Sequence, residues 1–347
     1  MQTAKQKASK AKLGSLLALL VLMTGLIAAC GGDDDDDSDT ASDGGGEVTE
    51  VAMGTQPWIG YGPFWIADEQ GFDTDNGVDI ELVNFSGRQE LEAGFASGKF
   101  AAANSATNDL IRLADLGVDY VIPLMEDFSL DADGVLSCNP DIRSIEDVEG
   151  AKVAFEEFSV SDVLFRYALD EAGVDFETID YVSLPPSDAA SAAVAGRVDV
   201  AVTYQPYLGT AVQDGDDCEV IYTAGENPGL ISDALAISTE LAESDPEAVV
   251  GVLRAWGDAV DYYNENTKDA QTIIAENVGS KPGELATTFE GVDLFDLQES
   301  QDYLENDYES LWNEISTILV DQGQIDSEPS LGDYLDTSFG SDALEGQ

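Results

Sequence analysis

Val48-Thr49-Glu50-Val51-Ala52-Met53 leads, three residues on, into Pro57-Trp58-Ile59-Gly60-Tyr61-Gly62-Pro63-Phe64-Trp65-Ile66-Ala67, and this junction sets the architecture of the chain. The first run is β-branched and apolar, as a buried strand requires, and Pro63 fixes a backbone angle suited to the first turn of a helix. Between them Gly60 and Gly62 allow a tight turn. A strand, glycine loop and helix in that order leave the free N–H groups of the helix start facing whatever lies beyond the strand's end. Trp58, Tyr61 and Phe64 offer flat faces there. Trp65 and Ile66, on the helix, read as core, whereas Trp58 and Tyr61, in the loop, are expected to line a pocket.

The same rhythm recurs outward from this unit. Strands are predicted over residues 48–53, 78–83, 101–103, 120–125, 134–138, 152–155, 181–184, 198–203, 220–223 and 235–238, with helices between them, the βαβ pattern of an α/β protein. After Asp245-Pro246 the pattern turns helical only, through Val249, Val252, Leu253 and Trp256 to about Gln322. Ala96-Ser97-Gly98-Lys99-Phe100-Ala101-Ala102 is echoed by Ala195-Gly196-Arg197-Val198-Asp199-Val200; each ends a helix with glycine and begins a buried strand. One copy in each of two similar lobes follows. The expected organisation is lobe 1 over 47–133 plus 236–325, lobe 2 over 134–235, a tail over 326–347, and a ligand cleft between the strand ends.

Upstream, Lys5, Lys7, Lys10 and Lys12 precede an apolar run from Leu13 to Ala29, and small residues lead into Cys30. Residues 1–29 therefore read as a lipoprotein signal peptide with Cys30 as the lipidated residue, and the apolar run falls short of the roughly 20 residues of a spanning helix. Residues 30–46, nearly all Asp, Ser, Thr and Gly, form no core and read as an acidic disordered tether. The chain is expected to be exported and held on the outer face of the cytoplasmic membrane.

From Cys30 onward ten basic residues face seventy acidic ones, a formal charge of −60. Nucleic acid is excluded as a partner, since phosphate contacts need clustered cations. Such mutual repulsion is tolerable where salt screens it, which points to a halophilic setting, the alternative being an ordinary acidic secreted protein. Histidine is absent, removing the commonest general base and transition-metal ligand; no metal or cofactor is implied. Cys138 and Cys218 remain as a candidate disulfide, or as two buried free thiols.

Further polar groups sit after strands and before helices. Ser105 and Thr107, in Asn104-Ser105-Ala106-Thr107-Asn108-Asp109, are placed to cap a helix or touch a ligand. Asp127 and Ser129 lie in the acidic stretch Glu126–Gly134, where the chain leaves the first lobe; a solvated hinge loop is its plainer reading. In the second lobe Ser159 and Ser161 precede an amphipathic helix, and Tyr204 with Gln205 closes a strand. Aromatic walls with carboxylates suit an amine, a zwitterion or an aminopyrimidine, whereas helix starts with Arg88 suit a sulfonate or nitrate.

Several of these strings also carry a family resemblance. Trp58, Gly60-Tyr61, Pro63-Phe64, then Ala67 to Phe72 and Gly77 to Leu82, resemble the opening of solute-binding proteins of the nitrate, sulfonate and taurine class, the SsuA/THI5-like or NMT1-like proteins. Ile145 to Gly150 with Lys152 to Ala154 resembles them too, as does Gly196 to Val200 with Thr203 to Tyr207, although Tyr204-Gln205 stands where related chains often carry tryptophan-glutamate. The resemblance implies a two-lobed periplasmic-binding-protein type II fold and a monomer that captures a small sulfonate, taurine-like or nitrogenous compound. It also implies delivery to an ABC permease with a separate ATPase; this chain has no P-loop. Thiamine-pyrimidine precursors are an alternative ligand, and ligand sensing an alternative role. A related fungal enzyme depends on histidine and a cysteine-rich segment that this chain lacks, so an enzyme is not expected; the remaining catalytic option is an acid and base pair at Asp127 and Asp131.

Overall fold

All ten predicted runs form strands, each within four residues of its expected ends. The computed structural model describes residues 48–345 except 283, 284, 286 and 287; the expected signal peptide, Cys30 and the tether lie outside the described residues. In chain order the first lobe holds β1 (Thr49–Thr55), β2 (Val78–Asn84), β3 (Ala102–Ala106) and β4 (Tyr120–Ser129). The chain then crosses to the second lobe for β5 (Asp133–Ser137), β6 (Lys152–Phe155), β7 (Asp180–Ser183), β8 (Val200–Tyr204) and β9 (Glu219–Thr223). It returns for β10 (Ser232–Ser238) and β11 (Val292–Leu294).

The two sheets share one plan. The first runs β2-β1-β3-β10-β4 with β11 on the edge, and the second runs β7-β6-β8-β5-β9. Each takes its antiparallel strand, β10 or β5, directly after the chain arrives from the other lobe. The two echo segments occupy equivalent places: Gly98 and Gly196 follow their helices with φ of 71° and 63°, and Met53 pairs with Ala102 as Val153 pairs with Val200. Left-handed backbone at both points is why glycine stands there.

Four expectations need correction. The lobe boundary expected at 235/236 cuts through β10, whose Ser232 already pairs with Phe128 of β4. β11 lies in the stretch expected to be helical; three residues carry too little periodicity to announce a strand. Glu126 to Ser129 extends β4 rather than forming a hinge loop, and Glu126, Asp127 and Ser129 are fully buried. Nor is 326–345 a tail. Leu335 bridges to Ile122, and Phe339 and Ala343, four apart on the helix Ser338–Leu344, are buried as that helix packs on Pro246–Glu265. Arg254 of the longer helix donates to the carbonyls of Ala343 and Asp342 at 3.1 and 2.8 Å, which neutralises orphan acceptors at a helix end.

The crossings at 130–132 and 224–231 are packed tightly. Leu130 and Asp131 both donate backbone N–H to the Gly291 carbonyl, at 2.8 and 3.2 Å, and a Cβ at Gly291 would press on the Ala132 backbone nitrogen at 3.0 Å. Cys138 and Cys218 form a disulfide beside the β5–β9 pairing of Ser137 with Glu219. Among the described residues no helix is long and apolar enough to cross a membrane.

Candidate functional site

A cavity opens between the lobes where the strand ends of both sheets converge, and with its mouth it holds about 440 Å³ of atom-free space. Gln56, Trp58, Tyr61, Arg88, Ala106 and Asp109 line it from the first lobe, and Asp133, Glu156, Ser159, Val160 and Tyr204 from the second. Ile231 and Asp233, where the chain returns, complete the wall.

The glycine loop is clamped to the strands beneath it. Trp58 Nε1 donates to both carboxylate oxygens of Asp127 at 3.3 Å, and the Tyr61 hydroxyl donates to Asp233 Oδ1 at 2.8 Å. Asp127 and Asp233 are register partners on β4 and β10, so two adjacent strands fix both rings. Gly60 is required here because a Cβ would strike the Asp127 carboxylate and the Trp58 indole nitrogen. Across the cleft the Trp58 ring meets Tyr204 edge-on, with centroids 5.6 Å apart at 82°.

The second lobe's wall is built on a helix start. Ser159 caps Val160–Ala172 by accepting from Ser161 N at 3.1 Å, and its hydroxyl donates to the Glu156 carbonyl at 2.7 Å. Phe158 is held with a left-handed φ of 64°, its N–H donating to Asp162 Oδ2 at 2.8 Å. Two contacts bridge the lobes at this edge: Arg88 N donates to Glu156 Oε1 at 3.1 Å, and Arg112 Nη1 donates to the Phe158 carbonyl at 3.0 Å. Arg112 also lies over the Phe158 ring, 5.3 Å from its centroid. The lobes therefore touch at this edge of the cleft.

Burial dominates the electrostatics. It raises Asp133 to about 8 against the opposing Ser129 hydroxyl, and Asp233 to about 6 although the Tyr61 and Asp127 hydrogen bonds oppose it. Burial first, then neighbouring carboxylates, pushes Glu126, Asp127 and Asp109 well above the usual carboxylate range, and burial raises Glu156.

Five of the expected site residues line the cavity: Trp58, Tyr61, Arg88, Ser159 and Tyr204. The other seven do not. Phe64 is buried against Trp256 at 5.0 Å, because its helix turns that face to the core. Ser105 sits within β3 opposite Ala234, and the Thr107 hydroxyl is used by Ser232 Oγ at 2.8 Å. Asp127 stands behind Trp58, and Ser129 Oγ accepts from Asp133 N at 3.0 Å, so each supports a lining residue from outside the cavity. Ser161 gives its backbone N–H to Ser159. Gln205 Oε1 accepts from Gly209 N at 3.0 Å, turned along its own helix. Asp109, Asp133, Glu156 and Asp233 were missed, though each stands at or within three residues of a strand end or crossing, the placement rule that found the others.

The sequence profile of the NMT1-like family matches residues 44–279, more than half of the chain. The chain belongs to the NMT1-like family. This NMT1-like protein is 26% identical over 268 residues to a Bacillus subtilis (strain 168) protein named for aliphatic sulfonate binding, covering 75% of this chain and 77% of the relative. The alkanesulfonate-binding protein SsuA from Xanthomonas axonopodis pv. citri, solved with MOPS bound, superposes with a TM-score of 0.71 at 16% identity, covering 83% of this chain and 98% of that one. The desulfurization enzyme DSZB shares the fold too, with a TM-score of 0.66 at 14% identity over 86% of this chain and 99% of the enzyme. At these identities the likeness establishes the NMT1-like chain's fold, a two-lobed type II periplasmic-binding-protein architecture.

Proposed function

We propose that this protein is the extracytoplasmic solute-binding subunit of an ABC importer, capturing a small molecule between its lobes and presenting it to a permease served by a separate ATPase. The observation that carries this reading is the cavity between the lobes, walled by Trp58 and Tyr61 from one lobe and Tyr204 from the other, where a solute touches both lobes at once. Ligand capture and closure are then one event, since a solute touching both lobes favours the closed state. Binding rather than catalysis is supported by the lack of histidine and by the pairing of Cys138 with Cys218, which leaves the cleft neither an imidazole base nor a thiol nucleophile among the described residues. Lipid on Cys30 would hold the protein at the membrane while the acidic tether lets it reach the permease.

A thermal-shift screen of the purified full chain tests the reading. A true solute at about 100 times its Kd adds roughly 2.7 kcal/mol of stability, and a panel of sulfonates, nitrate, amines and pyrimidines that leaves the melt unmoved contradicts it. For the anchor, Cys30→Ala is expected to accumulate as uncleaved or mislocalised precursor; normal maturation would remove the lipid from the account.

A further inference from the structure

The charge of the cleft selects among solutes, and this inference rests on the solute-binding reading above. Four carboxylates, Asp109, Asp133, Glu156 and Asp233, face the cavity against a single cation, Arg88. That cation is already engaged. Its guanidinium pairs with Glu92 and lies 4.0 Å from Asp109, and Glu92 is shared with Arg112 at 3.8 Å. Among the described residues, Asp133, Glu156 and Asp233 form no ion pair with any lysine or arginine. Behind the wall are two more buried acids, Asp127 and Glu126, and both carboxylate oxygens of Glu126 lack a hydrogen-bond partner.

An anion entering here would share one half-neutralised guanidinium and face Asp233, largely ionised at pH 7, between buried aromatic walls. A cation would meet the opposite field, together with the negative faces of aromatic rings. The NMT1-like relatives named for sulfonates therefore do not predict this chain's ligand. We propose that the cleft takes a small organic cation bearing N–H donors, an amine or amidine, gripped by Asp133 and Glu156 of the second lobe and Asp233 of the first, with Trp58, Tyr61 and Tyr204 as its walls. The upward displacement of Asp133 fits this: burial holds it at about 8, so in the empty cleft at pH 7 it keeps a proton that an arriving cation displaces, whereas Asp233, at about 6, is already largely ionised to receive the charge.

Isothermal titration calorimetry of the full-length protein in molar NaCl at pH 7, run in two buffers of different ionisation enthalpy, tests the proposal. The probes are ethanolamine, putrescine, agmatine and benzylamine, against taurine, which adds a sulfonate to the same ammonium, and ethanesulfonate, which lacks the ammonium. At least one amine is expected to bind with proton release and at least ten times more tightly than taurine, with no heat from ethanesulfonate. Asp133→Asn and Glu156→Gln, which remove charge while keeping shape, are expected each to cost tenfold or more in amine affinity with the unliganded fold intact by circular dichroism. Tighter binding of taurine or ethanesulfonate than of any amine overturns the cation assignment and leaves the solute-binding reading standing. Unchanged amine affinity in both variants overturns the placement of the grip. Silence from amines, sulfonates and nitrate alike overturns the solute-binding reading as well.

Discussion

Tyr61 joins the wall of the cleft to its charge. Its hydroxyl donates to Asp233 Oδ1 at 2.8 Å and opposes the rise that burial imposes on that carboxyl, which still reaches about 6. Tyr61→Phe keeps the ring and removes the donor, so it harms the ionised form of Asp233 more than the protonated one. Urea unfolding should show a loss of about 1–3 kcal/mol at pH 8 and a smaller loss at pH 5; equal losses would mean the hydroxyl does not support the carboxylate. Trp58 lines the cavity yet is only 5% exposed and donates to Asp127, so pocket and core are not alternatives for it. Trp58→Ala should therefore cost the empty protein roughly 3–5 kcal/mol in addition to any loss of binding. An unchanged ligand-free melt would show the ring packs only on solute.

Among the elements, the helix Thr107–Asp115 and the Glu156–Ser159 turn form the closing edge of the cleft. Arg112 reaches from one to the carbonyl and ring of Phe158 on the other, and Phe158 holds an uncommon left-handed backbone to receive it. Arg112→Met, which keeps the stem and loses the hydrogen bond and the charge, should raise the Kd of a cleft ligand about fivefold, the equivalent of roughly 1 kcal/mol. An affinity identical to wild type would mean closure does not depend on this edge. The strand pattern was legible wherever β-branched runs were bounded by turn residues, as in Val78–Asn84 or Lys152–Phe155. It failed at the end of β4 because Glu126 and Asp127 look like loop residues; their burial depends on partners on β10 and on the aromatic loop, far away in sequence. The same blindness hid Asp133 and Asp233 from the site, since an acid in a strongly acidic chain carries no contrast.

For the molecule as a whole, charge governs stability twice. The surface of a chain carrying −60 beyond Cys30 repels itself, and screening by molar NaCl should raise the melting temperature above that in dilute buffer. A salt-indifferent melt would remove that repulsion from the account. The buried acids act through pH instead. Asp133 and Asp233 stand above their ordinary value of 3.8 in the folded state, so the unfolded chain releases these protons first. The stability they carry is complete below about pH 4 and is lost as pH rises through about 6 and then about 8, at up to roughly 1.4 kcal/mol per pH unit for each group. Denaturant midpoints of the ligand-free protein should fall across that window, and a flat profile would contradict the retained protons. The two-lobe plan was legible at this scale because the glycine-ended echo at Gly98 and Gly196 marks equivalent places in both sheets. The packing of 326–345 was not, because its buried hydrophobic residues, Leu331, Phe339 and Ala343, are few and widely spaced, and its other contacts, such as Tyr334 on Tyr120 and Leu335 with Ile122, reach partners far away in sequence.

The central claim, capture of a solute between the lobes against the glycine loop, is tested most directly by tryptophan fluorescence. Of the four tryptophans, Trp58 alone lines the cavity; Trp65, Trp256 and Trp312 are buried in the core. Titration with the probe giving the largest melting shift should change the emission of the wild type, and Trp58→Phe should abolish that change while Trp65→Phe preserves it. An emission change that survives in Trp58→Phe and disappears in Trp65→Phe would place the ligand elsewhere and contradict the account.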